Sequence, residues 1–487
     1  MKKWLLAAAA VCVLISGCSR REEESWSDRE VETTAEGSGE KSTEGTAGSE
    51  SEHILPSDDN GGEETREGDQ EKSTEEEPWD GDTGRTILLA SDIHYLARQL
   101  TDFQQGFTYR VEHGDGKIVP YIWEITDAFI QEVKETDPDL VVLSGDLTYN
   151  GERVSHEELA DHLKEIEDSG IPVAVIPGNH DINNTAAAQF VGEMAPQAEY
   201  IQAEDFEEIY YEFGYEEAIS RDPASLSYVY PVDEITWALM LDTCQYEPYN
   251  QVGGMISNET YHWIEEQLEL AWDQGIHVIP IGHHNLLDES EIYVEDCTIE
   301  HSERLIEMLE GWEVLLFLSG HLHVQHFMQS GDGEGIYEIV SSSLATSPCQ
   351  YGILHYGDDG SFEYKTKALD MESWAKARDV TDSNLLNFTE FRDEFLYKVF
   401  YNQAQDEFSQ SQAAADYTDY ERHAMADVYA ALKVAYYAGK AAKVIDQVET
   451  TQGYDLWLQR AQPGVLYQYI EFMVADGKVD YNYLRVE

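Results

Sequence analysis

Five times this sequence runs a short apolar stretch straight into a histidine or an aspartate: "ILLASDIH", "LVVLSGD", "VAVIPGNHD", "HVIPIGHH" and "VLLFLSGHLH". Short apolar runs rich in β-branched residues read as buried strands, and the polar residues at their ends mark where the chain leaves the core. Helical periodicity separates the first three strands. One helix is predicted over residues 121–135 and another over 155–168, where Ser155 and Glu158 match a capping box. Strands and helices that alternate in this way predict an α/β sheet of parallel character. In such a sheet the loops beyond the carboxyl ends of the strands gather in one crevice. Asp92, His94, Asp146, Asn179, His180, Asp181, His283, His284, His321 and His323 should therefore converge, although they are far apart in the chain.

Further along, "LSYVYPV" and "TWALMLDT" read as neighbouring strands, and 258–272 and 300–310 as helices. "IYEIVSSSL", "YGILHY" and "SFEYKTKA" read as antiparallel strands, which completes a two-sheet sandwich with helices outside. After about residue 370 the strands stop, and the remainder has helical periodicity. The domains expected are a signal at 1–18, an acidic linker at 19–84, a catalytic sandwich at 85–369 and a helical domain at 370–487.

The first residues read as an export signal. Lys2 and Lys3 precede an apolar run from Trp4 to Ile15 that is too short to span a bilayer. The run ends in "LISGC", which resembles a bacterial lipobox in which Cys18 becomes the lipidated N-terminus. Residues 19–84 carry almost no apolar side chains, so they are expected to be a disordered spacer reaching roughly 45 Å. The expected location is the outer face of the cell membrane, with the lipid on Cys18 as the one membrane contact. A net charge of −67 excludes nucleic acid as a partner, because such binding needs a basic footprint. It also means that an anionic substrate needs a strong local positive centre. Cys244, Cys297 and Cys349 are an odd, scattered set and form no disulfide framework.

Asp92 and His94 are two residues apart, as are His321 and His323, so in extended chain each pair points one way. Asp, His and Asn together suit Mn, Fe or Zn better than Ca or Mg alone. The set is too large for one ion, and one carboxylate bridging two ions accounts for the surplus, as in two-metal hydrolytic sites.

The ordered set D-x-H, G-D-x-x-x-x-G, G-N-H-D, G-H-H and G-H-x-H resembles the calcineurin-like metallophosphoesterases over residues 85–369. The resemblance implies a β-sandwich flanked by helices, with two divalent or mixed-valence metal ions. Asp92, His94, Asp146 and His323 would hold one ion, and Asp146, Asn179, His283 and His321 the other. A bridging water or hydroxide would be the nucleophile, His180 the general acid, and Asp181 the residue that orients His180. His283 is favoured over His284 because it matches the family position. Asn179 has a charge rationale as well: an aspartate there would cancel the surplus positive charge that attracts a phosphate.

"SDIHYLA", "SGDLTYNGERVSH", the lipobox and the helical tail further resemble class III cyclic nucleotide phosphodiesterases. The implied reaction converts a 3′,5′-cyclic nucleotide, a small-molecule phosphoester, into the 5′-monophosphate. Export favours a second reading, a surface phosphodiesterase or phosphatase acting on nucleotides or on wall or lipid phosphoesters. A non-catalytic binding protein is the third reading, and the intact ligand set argues against it. The insertion 95–117, with Phe103, Phe107, Tyr109 and Arg110, either walls the site or packs on the helical domain. His156 and His162 are expected on an exposed helix face, and His326 either touches substrate or is structural.

Overall fold

The computed structural model describes residues 84–290, 296–460 and 465–487. The expected signal, the Cys18 anchor and residues 19–83 of the acidic spacer lie outside the described residues, and Gly84 opens the first strand. Among the described residues no helix is long and apolar enough to cross a membrane.

Two sheets carry the fold. The first has the order β13-β12-β11-β1-β2-β3. Its parallel part is β1 (Gly84–Ala90), β2 (Leu140–Ser144) and β3 (Val173–Ile176). Every residue of β2 and β3 is buried, as expected for strands covered on both faces. Each buried Leu or Val there contributes roughly 1.5–3 kcal/mol, which fixes where these strands run and leaves their polar ends at the rim. The other edge of β1 pairs antiparallel with β11 (Gln350–Gly357), followed by β12 (Phe362–Ala368) and β13 (Tyr483–Val486).

The second sheet has the order β4-β5-β6-β7-β8-β10-β9. It comprises β4 (Ser220–Arg221), β5 (Tyr228–Pro231), β6 (Thr236–Met240), β7 (His277–Ile281), β8 (Leu316–Ser319), β9 (His326–Gln329) and β10 (Tyr337–Val340). One apolar core lies between the sheets and under the helices α2 (Ile122–Thr136) and α3 (Arg153–Glu167), which follow α1 (Gln105–Glu112). A second lies between the second sheet and the helices α5 (Asn258–Gln274) and α6 (Glu303–Gly311), which follow α4 (Ala203–Ile209). The rest is helical: α7 (Met371–Ala377), α8 (Ser383–Leu386), α9 (Phe388–Gln410), α10 (Asp419–Tyr437), α11 (Ile445–Glu449), α12 (Gln452–Arg460) and α13 (Val465–Asp476).

Three expectations need correction. The strand at "IYEIV" is β10, which is antiparallel to β9 but parallel to β8, and lies in the second sheet, away from "YGILHY" in the first. The stretch after it therefore crosses between the sheets, and its serines are buried at the end of β1. Strands also do not stop at residue 370, because β13 returns from the helical region to pair with β12. Helix α3 begins at Arg153 with no side-chain cap. Ser155 lies inside its first turn and accepts the Ala97 amide at 3.1 Å, while Glu158 accepts the Tyr95 hydroxyl, so neither closes a capping box.

Candidate metal centre and active site

The ends of β1, β2, β3, β7 and β8 bring their polar residues to one crevice. Backbone bonds fix the loops to one another. Asp92 N donates to Gly145 O at 3.0 Å and His94 N to Asp146 O at 2.9 Å. His180 N donates to Asp146 Oδ1 at 2.8 Å, and His321 N to Asp92 Oδ2 at 3.0 Å. A side chain at Gly178 would fall on the Asp146 backbone nitrogen, so the "PGNHD" turn can approach the "SGD" turn only with glycine there. Asp92, His94, Asp146, His321 and His323 all have left-handed backbone, with φ between 48° and 70°. This is sparsely populated space that non-glycine residues occupy at a cost.

Two groups of side chains result, with Asp146 in both. Asp92, His94, Asp146 and His323 each bring a ligand atom within 4.8 Å of the others, and so do Asp146, His283 and His321. In the first group, His94 Nε2 and His323 Nε2 are 3.0 Å apart, with Asp92 Oδ1 3.2 Å from His323 Nε2. In the second, His283 Nε2 lies 3.5 Å from Asp146 Oδ1 and 3.1 Å from Asn179 Oδ1.

These contacts favour a cation. His283 Nδ1 donates to the Ser144 carbonyl at 2.8 Å, and His321 Nε2 donates to the Asp296 carbonyl at 3.1 Å. Their remaining nitrogens, His283 Nε2 and His321 Nδ1, face each other at 3.2 Å. Two lone pairs at that distance repel unless something positive stands between them. Burial works against charge on His283, yet Asp146 and Asp92 raise its pKa to about 9, so the place attracts a proton or a metal ion. Asp92 Oδ1 is buried without a hydrogen-bond partner among the described residues. Burial alone would raise both carboxyls. His323 instead brings Asp92 below the usual range, and His180 and His283 bring Asp146 well below it. Anionic oxygens and neutral imidazoles are the forms that bind borderline metals.

Residues 85–325 match the calcineurin-like phosphoesterase family, and residues 370–480 match the C-terminal domain of cyclic nucleotide phosphodiesterase. The chain belongs to the calcineurin-like phosphoesterases. A probable cyclic nucleotide phosphodiesterase from Synechococcus sp. is 24% identical over 255 residues, covering 50% of this chain and 83% of its own. Another from Psychrobacter arcticus is 26% identical over 218 residues, 44% of this chain and 67% of its own. Among solved structures, a dimetal phosphatase from Danio rerio aligns over 59% of this chain and 96% of its own, at TM-score 0.44 and 15% identity.

Within this phosphoesterase, the surroundings of His180 differ from expectation. Its Nδ1 donates to the Tyr149 carbonyl at 2.8 Å and lies 3.0 Å from Asn150 Oδ1, leaving Nε2 toward the centre, 3.9 Å from Asp146 Oδ2. Asp181 does not orient it. Both Asp181 oxygens are taken by the Gly178, Leu147 and Thr148 amides and the Thr148 hydroxyl, at 2.8–3.0 Å. Asp181 therefore ties the "SGDLT" turn to the "GNHD" turn, a structural clamp behind the site. Neighbouring residues in a tight turn point apart, so adjacency in sequence gave the wrong partner.

His284 turns away from the centre, with Nδ1 2.7 Å from the Thr243 hydroxyl and Nε2 donating to Val252 O at 2.8 Å. His156 is buried, not exposed: its Nε2 is 3.0 Å from Asp181 O and its Nδ1 2.9 Å from the Tyr210 hydroxyl. Its charged neighbours concealed an inward face. His326 bridges Glu289 and Asp476 and joins the sandwich to α13. Of the insertion, Phe107 is buried against Phe190, while Phe103 and Tyr109 remain exposed. Sequence reasoning missed Tyr149 and Asn150, although both stand in the quoted "GDLTYNG", because a backbone carbonyl and an amide carry no motif signal. It also missed Asp115 and Lys117, which pair at 2.9 Å.

Proposed function

We propose that this phosphoesterase cleaves phosphodiesters, a 3′,5′-cyclic nucleotide to the 5′-monophosphate first among them. The observation carrying the reading is the shared carboxylate: Asp146 belongs to both ligand groups. Asp92, His94, Asp146 and His323 would hold one metal ion, and Asp146, Asn179, His283 and His321 a second. When bound, such a pair lowers the pKa of water and offsets charge on phosphoryl oxygens.

The chain's own groups do the rest. In an in-line displacement the leaving oxygen departs opposite the attacking one and needs a proton. His180 Nε2 faces the centre and supplies it. Burial pushes His180 down to about 4; Asp146 opposes this, and Lys117 adds to it. An arriving anion raises the proton affinity of a neighbouring imidazole, and the Tyr149 carbonyl supports the imidazolium from behind. Asp146 and Asp92 stay ionised throughout. Among phosphoesters, a cyclic nucleotide is favoured by the matched C-terminal domain and by the names of both relatives. The sequence features at residues 1–18 favour action outside the cell, on a lipid anchor at Cys18.

Assay of the chain with Mn²⁺ against cyclic AMP, bis(p-nitrophenyl) phosphate and p-nitrophenyl phosphate tests this, with metal-stripped protein as control. Cyclic AMP turnover that vanishes without metal supports the reading. Diester cleavage without cyclic AMP turnover points to the broader surface phosphodiesterase. Monoester cleavage alone overturns both. Palmitate labelling lost in Cys18→Ala tests the anchor.

A further inference from the structure

Lys117 is 5% exposed and closes the insertion that follows the first ligand motif. Its Nζ lies 2.9 Å from Asp115 Oδ2 and 5.9 Å from the centroid of the Tyr149 ring. Tyr149 is the residue whose carbonyl holds His180. On the other side, Ile118 N donates to Ala345 O at 2.7 Å. Two residues earlier in that loop, the Ser343 hydroxyl donates to Asp92 O at 2.8 Å. Lys117 is thus fixed between the turn that carries His180 and the strand end that carries Asp92.

A buried ammonium is costly unless it is paired, and Asp115 pairs this one. Asp115 occupies one of three donors. The helical region sets the geometry of the turn. Gly116 has φ +96°, and a side chain there would strike Leu396 of α9. From the same helix, Gln403 Nε2 donates to Gly114 O at 3.4 Å. In α10, Lys433 and Tyr437 both lie close enough to feel the Asp115 carboxylate.

We propose that Lys117 binds a non-bridging phosphoryl oxygen of the substrate, and that α9 positions it by seating the turn at residues 114–117. The inference rests on reading the centre as a phosphoester-hydrolysing site. It gives a protein of charge −67 a fixed cation beside that centre. It also gives the helical region a role at the site that does not require it to touch substrate.

Lys117→Met keeps the stem and removes the charge; Lys117→Arg keeps the charge. The metal-loaded full chain is titrated with inorganic phosphate by calorimetry, and kcat and KM are measured for bis(p-nitrophenyl) phosphate. Lys117→Met should weaken phosphate binding and raise KM by roughly 10- to 100-fold, with metal content unchanged and kcat less affected. Lys117→Arg should recover most of the loss. Leu396→Ala, which loosens the seat, should raise KM by a smaller factor. Should Lys117→Met fail to fold, Lys117→Gln against Lys117→Arg makes the same comparison. Wild-type phosphate affinity and KM in the uncharged variants overturn the proposal and leave the function standing. Phosphate binding that depends on Lys117 in a chain that hydrolyses no ester keeps the proposal and overturns the function. A lowered Tm with unchanged KM in Leu396→Ala removes α9 from it.

Discussion

At the crevice of the sandwich, imidazole nitrogens face each other at 3.0 and 3.2 Å around a carboxylate common to both groups. In the helical region, the buried amine of Lys433 has its hydrogen-bonding partners in place. It donates to the Tyr429 hydroxyl at 3.0 Å and to Gln403 Oε1 at 3.3 Å, 4.3 Å from the centre of the Phe400 ring. Asp476 is similarly provided for, by His326 and by the hydroxyls of Tyr436 and Tyr481. Both regions bury charge, but in one the groups satisfy each other and in the other they converge on a common point. Convergent and mutually unsatisfied groups indicate chemistry, and satisfied ones architecture.

The contrast can be broken at its strongest point. Asp146→Asn should abolish turnover, by on the order of 10³-fold or more, and lower metal content at both positions, because one residue serves both groups. Full metal occupancy in that variant would dissolve the shared-ligand picture. His180→Gln should retain metal and lose roughly 10²- to 10⁴-fold in kcat on alkoxide leaving groups, with a much smaller loss on nitrophenolate esters, which need no acid. Equal losses on both ester types would take the acid role from His180.

The architectural side is tested by stability. Burial opposes charge on His326, but Glu289 and Asp476 raise its pKa to about 9, above the unfolded value of 6.5. Its stabilisation is therefore fully present below about pH 6.5 and lost as pH rises through 9. His326→Gln should cost on the order of 3 kcal/mol at pH 6 and clearly less at pH 9.5, read from denaturant melts. A pH-independent difference would mean that packing, not charge, joins α13 to the sandwich.

Two smaller effects sharpen the comparison. Asn179→Asp should raise KM several-fold, up to about tenfold, with metal binding less affected, because it cancels positive charge where the phosphate must sit. Unchanged KM with intact metal would remove the charge rationale. For Lys433, burial lowers the pKa to about 7, below the unfolded 10.5, so this group makes the fold more stable as pH rises from about 7 to 10.5. The ring faces around it oppose a large shift. Relative to Lys433→Met, the wild-type chain should gain about 1–2 kcal/mol across that window. A flat difference would show an ammonium fully accommodated by its cage.

Much of this was legible in the sequence, for a physical reason. A strand buried on both faces has to be apolar along its length, so "LVVLS" and "VAVI" announce themselves, and the polar residues after them have to lie at an edge. Membership of the crevice could be read from that alone. Orientation could not. Asp181 and His180 are neighbours that point apart, and His283 and His284 face different partners although both follow the same strand. The place of β10 was hidden because an apolar run states that it is buried, not beside which strand. β13 was hidden by its position after a long helical stretch. Lys117 was invisible because its importance arises from Leu396 and Ala345, more than two hundred residues away.

Five of the residues around the crevice hold left-handed backbone. Glycine would adopt it freely, yet glycine has nothing to offer a metal ion. At those positions the folded chain and the working enzyme have conflicting interests. A descendant relieved of catalysis could relax Asp92, His94, Asp146, His321 and His323 toward glycine or asparagine and become a more stable protein. Those positions hold aspartate and histidine, so the backbone there carries a cost that the ligand chemistry explains.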